Sequence, residues 1–205
     1  MEKFHNHLVQ AHPWHGIPAG SQAPEVVNTF IELVPLDTVK YEIDKLTGHL
    51  KVDRPHKYSS LCPTLYGFIP RTYCGPKVAE LAVEKCGRLI EGDKDPLDIC
   101  VLTEATITRS NIIVSARPIG GFRMIDTEEV DDKIIAVLQD DPVYNACTDL
   151  TAMPDGLLER LKHYFLTYKQ FPGGSRQVEI IDIYGVNGAY QVINNAIEDY
   201  REMFM

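Results

Sequence analysis

Three aspartates lie close together in the stretch EGDKDPLDICVL, which covers residues 91–102. Asp93, Asp95 and Asp98 carry like charges, and burying such groups unpaired is costly because each of them prefers water. Pro96 prevents a helix from running through them, and the apolar run that follows predicts a buried strand. Either water solvates these carboxylates in an ordinary loop, or cations hold them together.

A second acidic group lies further along the chain, at Asp126 and 131–132, directly before Lys133 and an apolar strand. Carboxylates at the ends of neighbouring strands can converge on one point, and oxygen ligands favour hard cations such as Mg²⁺ or Mn²⁺. A calcium-binding EF-hand loop starting at Asp93 is disfavoured, because an aspartate stands where that loop needs glycine. Acidic pairs in loops are more often solvated turns, so these residues alone leave both interpretations open.

Basic and phenolic residues are the third chemical feature of the chain. They are Lys40, Arg54, Tyr66, Lys133, Tyr168 and Lys169. Taken singly, each lysine is typical of a solvated surface and each tyrosine of a core. Together they predict a cation-rich clamp opposite a metal-loaded acidic patch. That arrangement suits a substrate with several negative charges, such as a polyphosphate.

The elements that must position these residues are mostly strands. The segments FIELV, VKYEID, LKVDR, NIIVSARPI, DKIIAVLQ and VEIIDIYGV are typical of strands, and VKYEID alternates cleanly between apolar and polar residues. Thr47 and Gly48 predict a turn between VKYEID and LKVDR. Apolar residues recur at helical spacing from Pro154 and again from Ala189, which predicts two helices. The pattern indicates an α+β fold, mainly β, with helices at one side of a sheet or barrel.

Length, charge and cysteine content narrow the class of protein. The chain has 205 residues without an evident linker, which predicts a single domain over residues 1–205 with an irregular N-terminal arm at 1–28. A net charge of −9 argues against nucleic-acid binding. The sequence contains no run of about 18 apolar residues that would predict a membrane span. The five cysteines are scattered and form no C-x-x-C pair, so we expect a reducing, cytoplasmic location.

Several segments resemble the motifs of the soluble family I inorganic pyrophosphatases. KYEIDKLTGHLKVDR is similar to the family's K-Y-E-I-D…G…V-D-R hairpin, and DKDPLDICVL to its D-x-D-P-x-D-V-L-V motif. RPIGGFRMID with EVDDKIIAV resembles R-P-(V/I)-G…M-x-D…D-x-K, and HYFLTYK resembles H-F-F-x-x-Y-K. The resemblance runs from about Phe30 to Arg176, with the motifs in the family's order.

This resemblance implies a fold and an activity. Members of the family hydrolyse inorganic pyrophosphate to two orthophosphates with Mg²⁺. Their fold is a five-stranded closed barrel of OB type with helices packed against it. We therefore expect an inorganic diphosphatase that uses metal-activated water. The alternative is a catalytically impaired relative whose OB-type barrel serves as a binding or interaction module.

The resemblance also implies metal ligands. Asp93, Asp98 and Asp131 would hold the first activating metal, and Asp98 would also reach a second. Asp126 and Asp131 would hold a further metal that arrives with the substrate. Glu32 and Glu42 would act on the outer metal and water shell. Several Mg²⁺ ions per active site are expected, with Mn²⁺ as an alternative.

Roles in catalysis and substrate binding follow from the same motifs. Asp95 would be the general base on the attacking water. The residues that would hold the phosphate groups are Lys40, Arg54, Lys133, Tyr168 and Lys169, with Tyr66 lining the pocket. The expected partner is pyrophosphate, with no nucleic acid and no membrane. A homo-oligomer is expected, the hexamer of compact bacterial relatives being favoured over the dimer of longer eukaryotic ones.

The chain departs from the family's pattern in three places. Cys62 precedes Pro63 where many members carry a tyrosine, which removes one expected phenolic contact. The segment DDPVY lacks a lysine found near there in compact bacterial members. Residues 74–91 are longer than the compact form needs, and we expect an inserted loop or hairpin there. The histidines of the N-terminal arm are spaced irregularly and predict a solvated segment rather than a metal site.

Overall fold

The computed structural model describes residues 10–56, 59–169 and 178–205. Within them the protein is mainly β, with three α-helices. The strands are β1 (Val27–Leu33), β2 (Val39–Ile43), β3 (Leu50–Pro55), β4 (Leu65–Phe68), β5 (Glu91–Gly92), β6 (Asp98–Leu102), β7 (Ile112–Asp126), β8 (Glu129–Val130), β9 (Lys133–Leu138) and β10 (Val178–Gly185). The helices are α1 (Pro76–Cys86), α2 (Asp155–Thr167) and α3 (Val186–Phe204), with short 3₁₀ turns at Tyr144–Ala146 and Leu150–Ala152.

Five strands pair in a ring in the order β1, β4, β6, β9 and β7, and β7 pairs back with β1. Within the ring only β6 and β9 run parallel. β10, β8 and β5 extend the sheet from β7, while β2 and β3 form a separate hairpin. This topology brings the starts of β6 and β9 side by side.

The long strand β7 pairs with four other strands, β1, β8, β9 and β10, and its register shifts along the way. Its first residues pair with β1 and its later residues with β10, while β9 lies along its middle. The shift against β9 falls between Pro118 and Gly120, where Gly120 has a φ of 156°. A side chain at Gly120 would be strained in that conformation and would meet Leu150 at 2.4 Å. Glycine therefore permits the bend.

The predicted strands and helices are present in the structure, but their boundaries differ from those predicted. The segment FIELV belongs to β1, which begins earlier at Val27, and α3 begins at Val186 rather than Ala189. The remaining predicted strands correspond to β2, β3, β7, β9 and β10, and the buried strand predicted after Pro96 is β6. The combination of a mainly β sheet with helices packed on it agrees with the predicted fold class.

The loop or hairpin expected in residues 74–91 is wrong, because this segment contains helix α1. Pro76 occupies the first turn, where its missing N–H costs nothing, and Gly87 ends the helix with a φ of 68°. The buried residues Val78, Ala79, Leu81 and Ala82 form one apolar stripe between these ends. The sequence therefore contains signals for a helix in this segment, whereas the expected loop or hairpin rested on the segment's length alone.

The described part of the N-terminal arm is packed against the domain rather than solvated. Trp14 is 4% exposed, and its indole N–H donates to the carbonyl of Thr72 at 2.8 Å. His12 lies beside the β2–β3 turn, where its ring pairs with the carbonyl of Lys45 at 3.2 Å. The prediction of a solvated segment is thus wrong for residues 12–15, which are buried or half-buried, and residues 1–9 lie outside the described part. None of the described helices is long and apolar enough to cross a membrane.

Two of the three apolar clusters in the described residues combine helices with residues of the ring strands. One contains α1 and α3 residues such as Val78 and Val192. The other contains α2 residues such as Leu161 and Phe165 together with Cys62 and Cys100. Helix α2 therefore packs against the second cluster. The last turn of this helix lies close to the starts of β6 and β9.

Candidate active site

The backbone of the acidic loop is fixed by the segment that leads into α1. The N–H of Cys74 donates to the carbonyl of Asp95 at 2.8 Å, and the N–H of Lys94 donates to the carbonyl of Cys74 at 3.1 Å. The N–H of Asp95 donates to a carboxylate oxygen of Asp93 at 3.0 Å. Gly92 lets the two segments approach, since a Cβ there would lie 2.1 Å from the Cys74 carbonyl oxygen. These contacts hold Asp93 and Asp95 at one rim of a cavity.

Lys133 is the central cation of the site. Parallel pairing places it directly opposite Asp98, and its ammonium contacts the carboxylates of Asp98 and Asp131. The residue is 2% exposed. The hydroxyl of Tyr66 also contacts the carboxylate of Asp98, and the rings of Tyr66 and Phe165 lie 6.0 Å from the Lys133 ammonium. An ammonium thus separates carboxylates that would otherwise repel one another.

Burial and neighbouring charge shift the ionisation of this group. Burial alone would lower the pKa of Lys133, but the carboxylates of Asp131 and Asp98 outweigh it and raise that pKa well above its ordinary value. Burial, followed by repulsion from Asp131 and Asp98, raises the pKa of Asp93. Burial and the charge of Asp98 raise the pKa of Tyr66, so this phenol stays protonated and donates. The lysine is therefore charged, and Asp93 is a buried carboxyl whose pKa neighbouring carboxylates raise further.

A second wall comes from β1 and the β2–β3 hairpin. Lys40 pairs with Glu42 and with Asp53, each at 3.2 Å. Glu32 is 6% exposed and accepts the N–H of Ile43 at 2.7 Å, and burial raises its pKa to about 8. The hairpin strands supply Lys40 and Glu42 on the same face because the two residues are two positions apart.

The third wall is the end of α2. Lys169 contacts the carboxylate of Asp126, which ends β7. The ring of Tyr168 stacks on that of Tyr164, with 5.1 Å between centroids and 23° between planes. Burial raises the pKa of Tyr168, which keeps its hydroxyl protonated. The helix therefore brings a cation and two phenols to the acidic groups.

All these walls enclose one cavity of about 320 Å³. The predicted residues that line it are Glu32, Lys40, Glu42, Tyr66, Asp93, Asp95, Asp98, Asp126, Asp131, Lys133, Tyr168 and Lys169. Arg54 does not belong to this lining, because its guanidinium contacts the neighbouring Asp53. It lies opposite Lys40 on the hairpin, however, and is therefore close to the wall.

Asp132 belongs to the second acidic group of the sequence but faces away from the cavity. It is 1% exposed and pairs with Arg123 at 3.4 Å and with the hydroxyl of Tyr184 at 3.2 Å. Burial raises its pKa to about 7. Adjacent residues of an extended segment point to opposite sides, which separates Asp132 from Asp131.

Several lining residues were missed by sequence reasoning. Lys45 contacts the carboxylate of Asp95 from the β2–β3 turn, and Tyr164 and His56 also line the cavity. The sequence does not distinguish Lys45, a single lysine in a hairpin turn, from a lysine that is merely solvated. Tyr164 fits the helical spacing of apolar residues that begins at Pro154, so nothing in the sequence separates it from a core residue.

The donor set of the cavity fits a hard divalent cation. The acidic side chains that line the cavity are all aspartates and glutamates, and their carboxylate oxygens are ligands that suit Mg²⁺ or Mn²⁺. As placed, the described side chains include no group of three or more His, Cys, Asp or Glu residues arranged to hold a metal. The ammonium groups of Lys45, Lys133 and Lys169 contact carboxylate oxygens of the site. A cation would take over oxygens that ammonium groups hold here.

Alternating carboxylates and ammonium groups around one cavity, on a mainly β fold, define a protein suited to a small, multiply charged anion that arrives with cations. Comparisons with known proteins agree. The family model described as inorganic pyrophosphatase matches residues 29–201. The chain belongs to the inorganic pyrophosphatase family. The predicted family is thereby confirmed.

Individual relatives cover nearly the whole chain. An inorganic pyrophosphatase of Chlamydia trachomatis serovar L2 is 51% identical over 201 residues, which are 95% of this chain and 96% of the relative. A soluble inorganic pyrophosphatase of Solanum tuberosum is 38% identical and covers 96% of this chain and 84% of its own. The crystal structure of an inorganic pyrophosphatase from Thermus thermophilus superposes with a TM-score of 0.78 at 27% identity, covering 94% of this chain and 99% of that one.

Proposed function

We propose that this protein hydrolyses inorganic pyrophosphate to two orthophosphates. The observation that carries the proposal is the buried Lys133 ammonium between the carboxylates of Asp98 and Asp131, in a cavity that also contains Lys40 and Lys169. Membership of the family and the 51% identity to a relative named inorganic pyrophosphatase support the same conclusion. Phosphoryl transfer needs positioning and charge neutralisation more than covalent help, and the cavity supplies charges of both signs.

The carboxylates would hold Mg²⁺, with Mn²⁺ as an alternative. Asp93, Asp98 and Asp131 would form the first group of ligands, and Asp126 with Asp131 would form a second that arrives with the substrate. Glu32 and Glu42 lie on the β1 and hairpin side and would orient the surrounding water. Bound divalent cations lower the pKa of water and neutralise phosphate charge.

The basic residues would bind the phosphate groups. Lys133 and Lys169 approach from the strand starts and the α2 end, and Lys40 approaches from the hairpin. Tyr66 and Tyr168 keep their protons and would donate to phosphate oxygens. Arg54 would join them after its guanidinium turns from Asp53, which needs only a change of side-chain rotamer on an exposed strand.

Asp95 would act as the general base. In the proposed step the oxygen of a water forms a bond to one phosphorus, and the bridging oxygen leaves with the bonding electrons. The proton of that water passes to the carboxylate of Asp95, which lies at the cavity rim beside Lys45. Lys45 would release Asp95 when the anionic substrate enters, because phosphate competes for the same ammonium.

A catalytically impaired binding module is the second candidate function. Cys62, in place of the tyrosine of many members, is the observation in its favour. Against it stands the buried Lys133 with its carboxylate partners, since an unused site has no physical reason to retain charges that are costly to bury.

We further infer that the ring of strands is a closed five-stranded barrel of OB type, that the protein acts in the cytoplasm, and that it forms homo-oligomers. A hexamer is favoured over a dimer. Light scattering on the purified chain would distinguish these assemblies, and a monomer would contradict both.

Phosphate release from pyrophosphate tests the proposed function directly. We expect release with Mg²⁺ and loss of release with EDTA. Folded, Mg²⁺-loaded protein that releases no phosphate would contradict the enzyme and favour the binding module.

A further inference from the structure

Two residues at which this chain differs from the family's motifs meet beside the cavity. Cys62 stands where many members carry a tyrosine, and Tyr164 stands at the first phenylalanine of the H-F-F-x-x-Y-K motif. Cys62 and Tyr164 belong to one buried apolar cluster, which contains residues of both the segment before β4 and helix α2. The thiol of Cys62 lies 4.0 Å from the hydroxyl of Thr64. A phenol is present at the cavity wall, but helix α2 supplies it through Tyr164 rather than residue 62.

The ring of Tyr164 is held firmly while its hydroxyl is not. Tyr164 is 7% exposed and lines the cavity. Its ring stacks on Tyr168 and meets Phe165 edge to face at 5.2 Å and 69°. Because the ring is fixed, only the O–H bond needs to rotate for the hydroxyl to donate to a group in the cavity.

A thiol is a poor partner for a buried hydroxyl. Sulfur is a weak donor and a weak acceptor, whereas a charged phosphate oxygen accepts a shorter and stronger hydrogen bond. Burial raises the pKa of Tyr164 and raises that of Cys62 to about 11, so both groups remain protonated at neutral pH. The hydroxyl is therefore a donor with more to gain from substrate than from Cys62.

We propose that Tyr164 is a further substrate-binding residue, whose hydroxyl donates to a phosphate oxygen held beside Tyr168. Cys62 then has a permissive role, because its small side chain leaves room for the phenol of Tyr164. A tyrosine at position 62 and a tyrosine at position 164 are alternative sources of the same donor. The inference rests on the pyrophosphatase activity proposed above.

The test compares Tyr164→Phe, the exchange variant Cys62→Tyr/Tyr164→Phe, and the control Tyr190→Phe on helix α3. Steady-state hydrolysis of pyrophosphate in Mg²⁺ gives kcat and KM, and calorimetry with imidodiphosphate, a non-hydrolysable analogue, gives affinity. Loss of one hydrogen bond to a charged group predicts a fall in kcat/KM of about 10- to 100-fold for Tyr164→Phe, mostly through KM. The analogue should bind more weakly in proportion, while the melting temperature stays close to that of the wild type.

The exchange variant separates substrate binding from packing. We expect it to regain most of the lost kcat/KM, because the phenol returns from position 62. Tyr164→Phe with wild-type KM and wild-type affinity for imidodiphosphate would overturn the proposal, and so would a folded exchange variant no better than Tyr164→Phe. If the exchange variant does not fold, Tyr164→Phe alone decides. Absence of hydrolysis by the wild type would refute the proposed function instead, and analogue binding would still test Tyr164.

Discussion

Lys133 lies directly opposite Asp98 on the parallel strands β9 and β6, and its ammonium contacts that carboxylate. The lysine is 2% exposed, so the ion pair is largely removed from water. Breaking a buried pair leaves an uncompensated charge, which costs about 3–5 kcal/mol. We expect Lys133→Met to lower the free energy of unfolding in EDTA by about that amount, as measured by urea denaturation. Phosphate release should fall as well, since the substrate loses a cation.

Lys162→Met is the matched control for this prediction. Lys162 lies on helix α2 and pairs at 2.7 Å with Glu159, whose side chain is 66% exposed. Its removal should change the free energy of unfolding by less than about 0.5 kcal/mol. A Lys133→Met protein as stable in EDTA as this control would show that the buried pair is not what holds the strand starts together.

Gly92 sets the position of the acidic loop. A Cβ at this residue would lie 2.1 Å from the carbonyl oxygen of Cys74, which is backbone and cannot rotate away. Gly92→Ala should therefore displace Asp93 and lower both stability and phosphate release. Gly156→Ala is the control, since a Cβ there meets nothing within 4 Å and α2 should gain up to about 1 kcal/mol from the better helix former. Equal melting temperatures for the two variants would contradict the close approach.

Asp199 of helix α3 caps helix α1. Its carboxylate accepts the N–H groups of Gly75, Lys77 and Val78 at 3.1, 3.1 and 3.2 Å, and the residue is 2% exposed. Asp199→Ala leaves these buried donors without their partner, so we expect a loss of about 1–3 kcal/mol in the free energy of unfolding. Glu198→Ala, one position away and exposed, should cost less than about 0.5 kcal/mol. Equal losses would indicate that the cap contributes nothing.

The acid sensitivity of the fold should depend on Asp141. Burial alone would raise the pKa of this carboxyl, but the N–H of Tyr144, the hydroxyl of Thr103 and other donors lower it below 3.8. A lowered folded-state pKa stabilises the protein above the unfolded value, and this stabilisation is lost as the pH falls through the folded value. Asp141→Asn should therefore cost stability at pH 7, and the difference from wild type should shrink below about pH 4.

Urea denaturation at pH 7 and pH 3 measures this effect, with Asp140→Asn as the control. Asp140 is exposed with a φ of 63°, a conformation that asparagine tolerates, so its replacement should leave stability nearly unchanged at both pH values. A difference between Asp141→Asn and wild type that stays constant with pH would contradict the predicted pKa shift.

The strands were largely predictable from the pattern of apolar residues along the sequence. β2 was recognisable by the alternation in VKYEID, although its residues are half-buried up to the buried Ile43. β9 was recognisable by its apolar run, because the strand is buried on both faces up to the half-buried Leu138. Helix α1 was missed because its segment was judged by its length against the family pattern, although Pro76 and Gly87 mark both ends. The bend of β7 depends on a register shift against β9, which no local pattern specifies.

The site was less predictable because it depends on which ion pairs the side chains form in the folded protein. Arg54 was expected in the cavity, but the adjacent Asp53 competes for its guanidinium. Lys45 was not expected there, since only the folded hairpin brings it to Asp95. Tyr164 fits the apolar stripe of α2 equally well as a core residue, and only its place in the cavity lining beside Tyr168 indicates the second role proposed for it.

The central claim is that Asp95 accepts the proton of the attacking water. The most direct measurement is kcat for phosphate release by Asp95→Asn in saturating Mg²⁺ and pyrophosphate, beside wild type and the exposed control Asp155→Asn. Loss of a general base predicts a fall in kcat of about 10²- to 10⁴-fold, with KM little changed and the control close to wild type. A folded Asp95→Asn protein that keeps near-normal kcat would contradict the assignment and leave proton removal to other groups of the site.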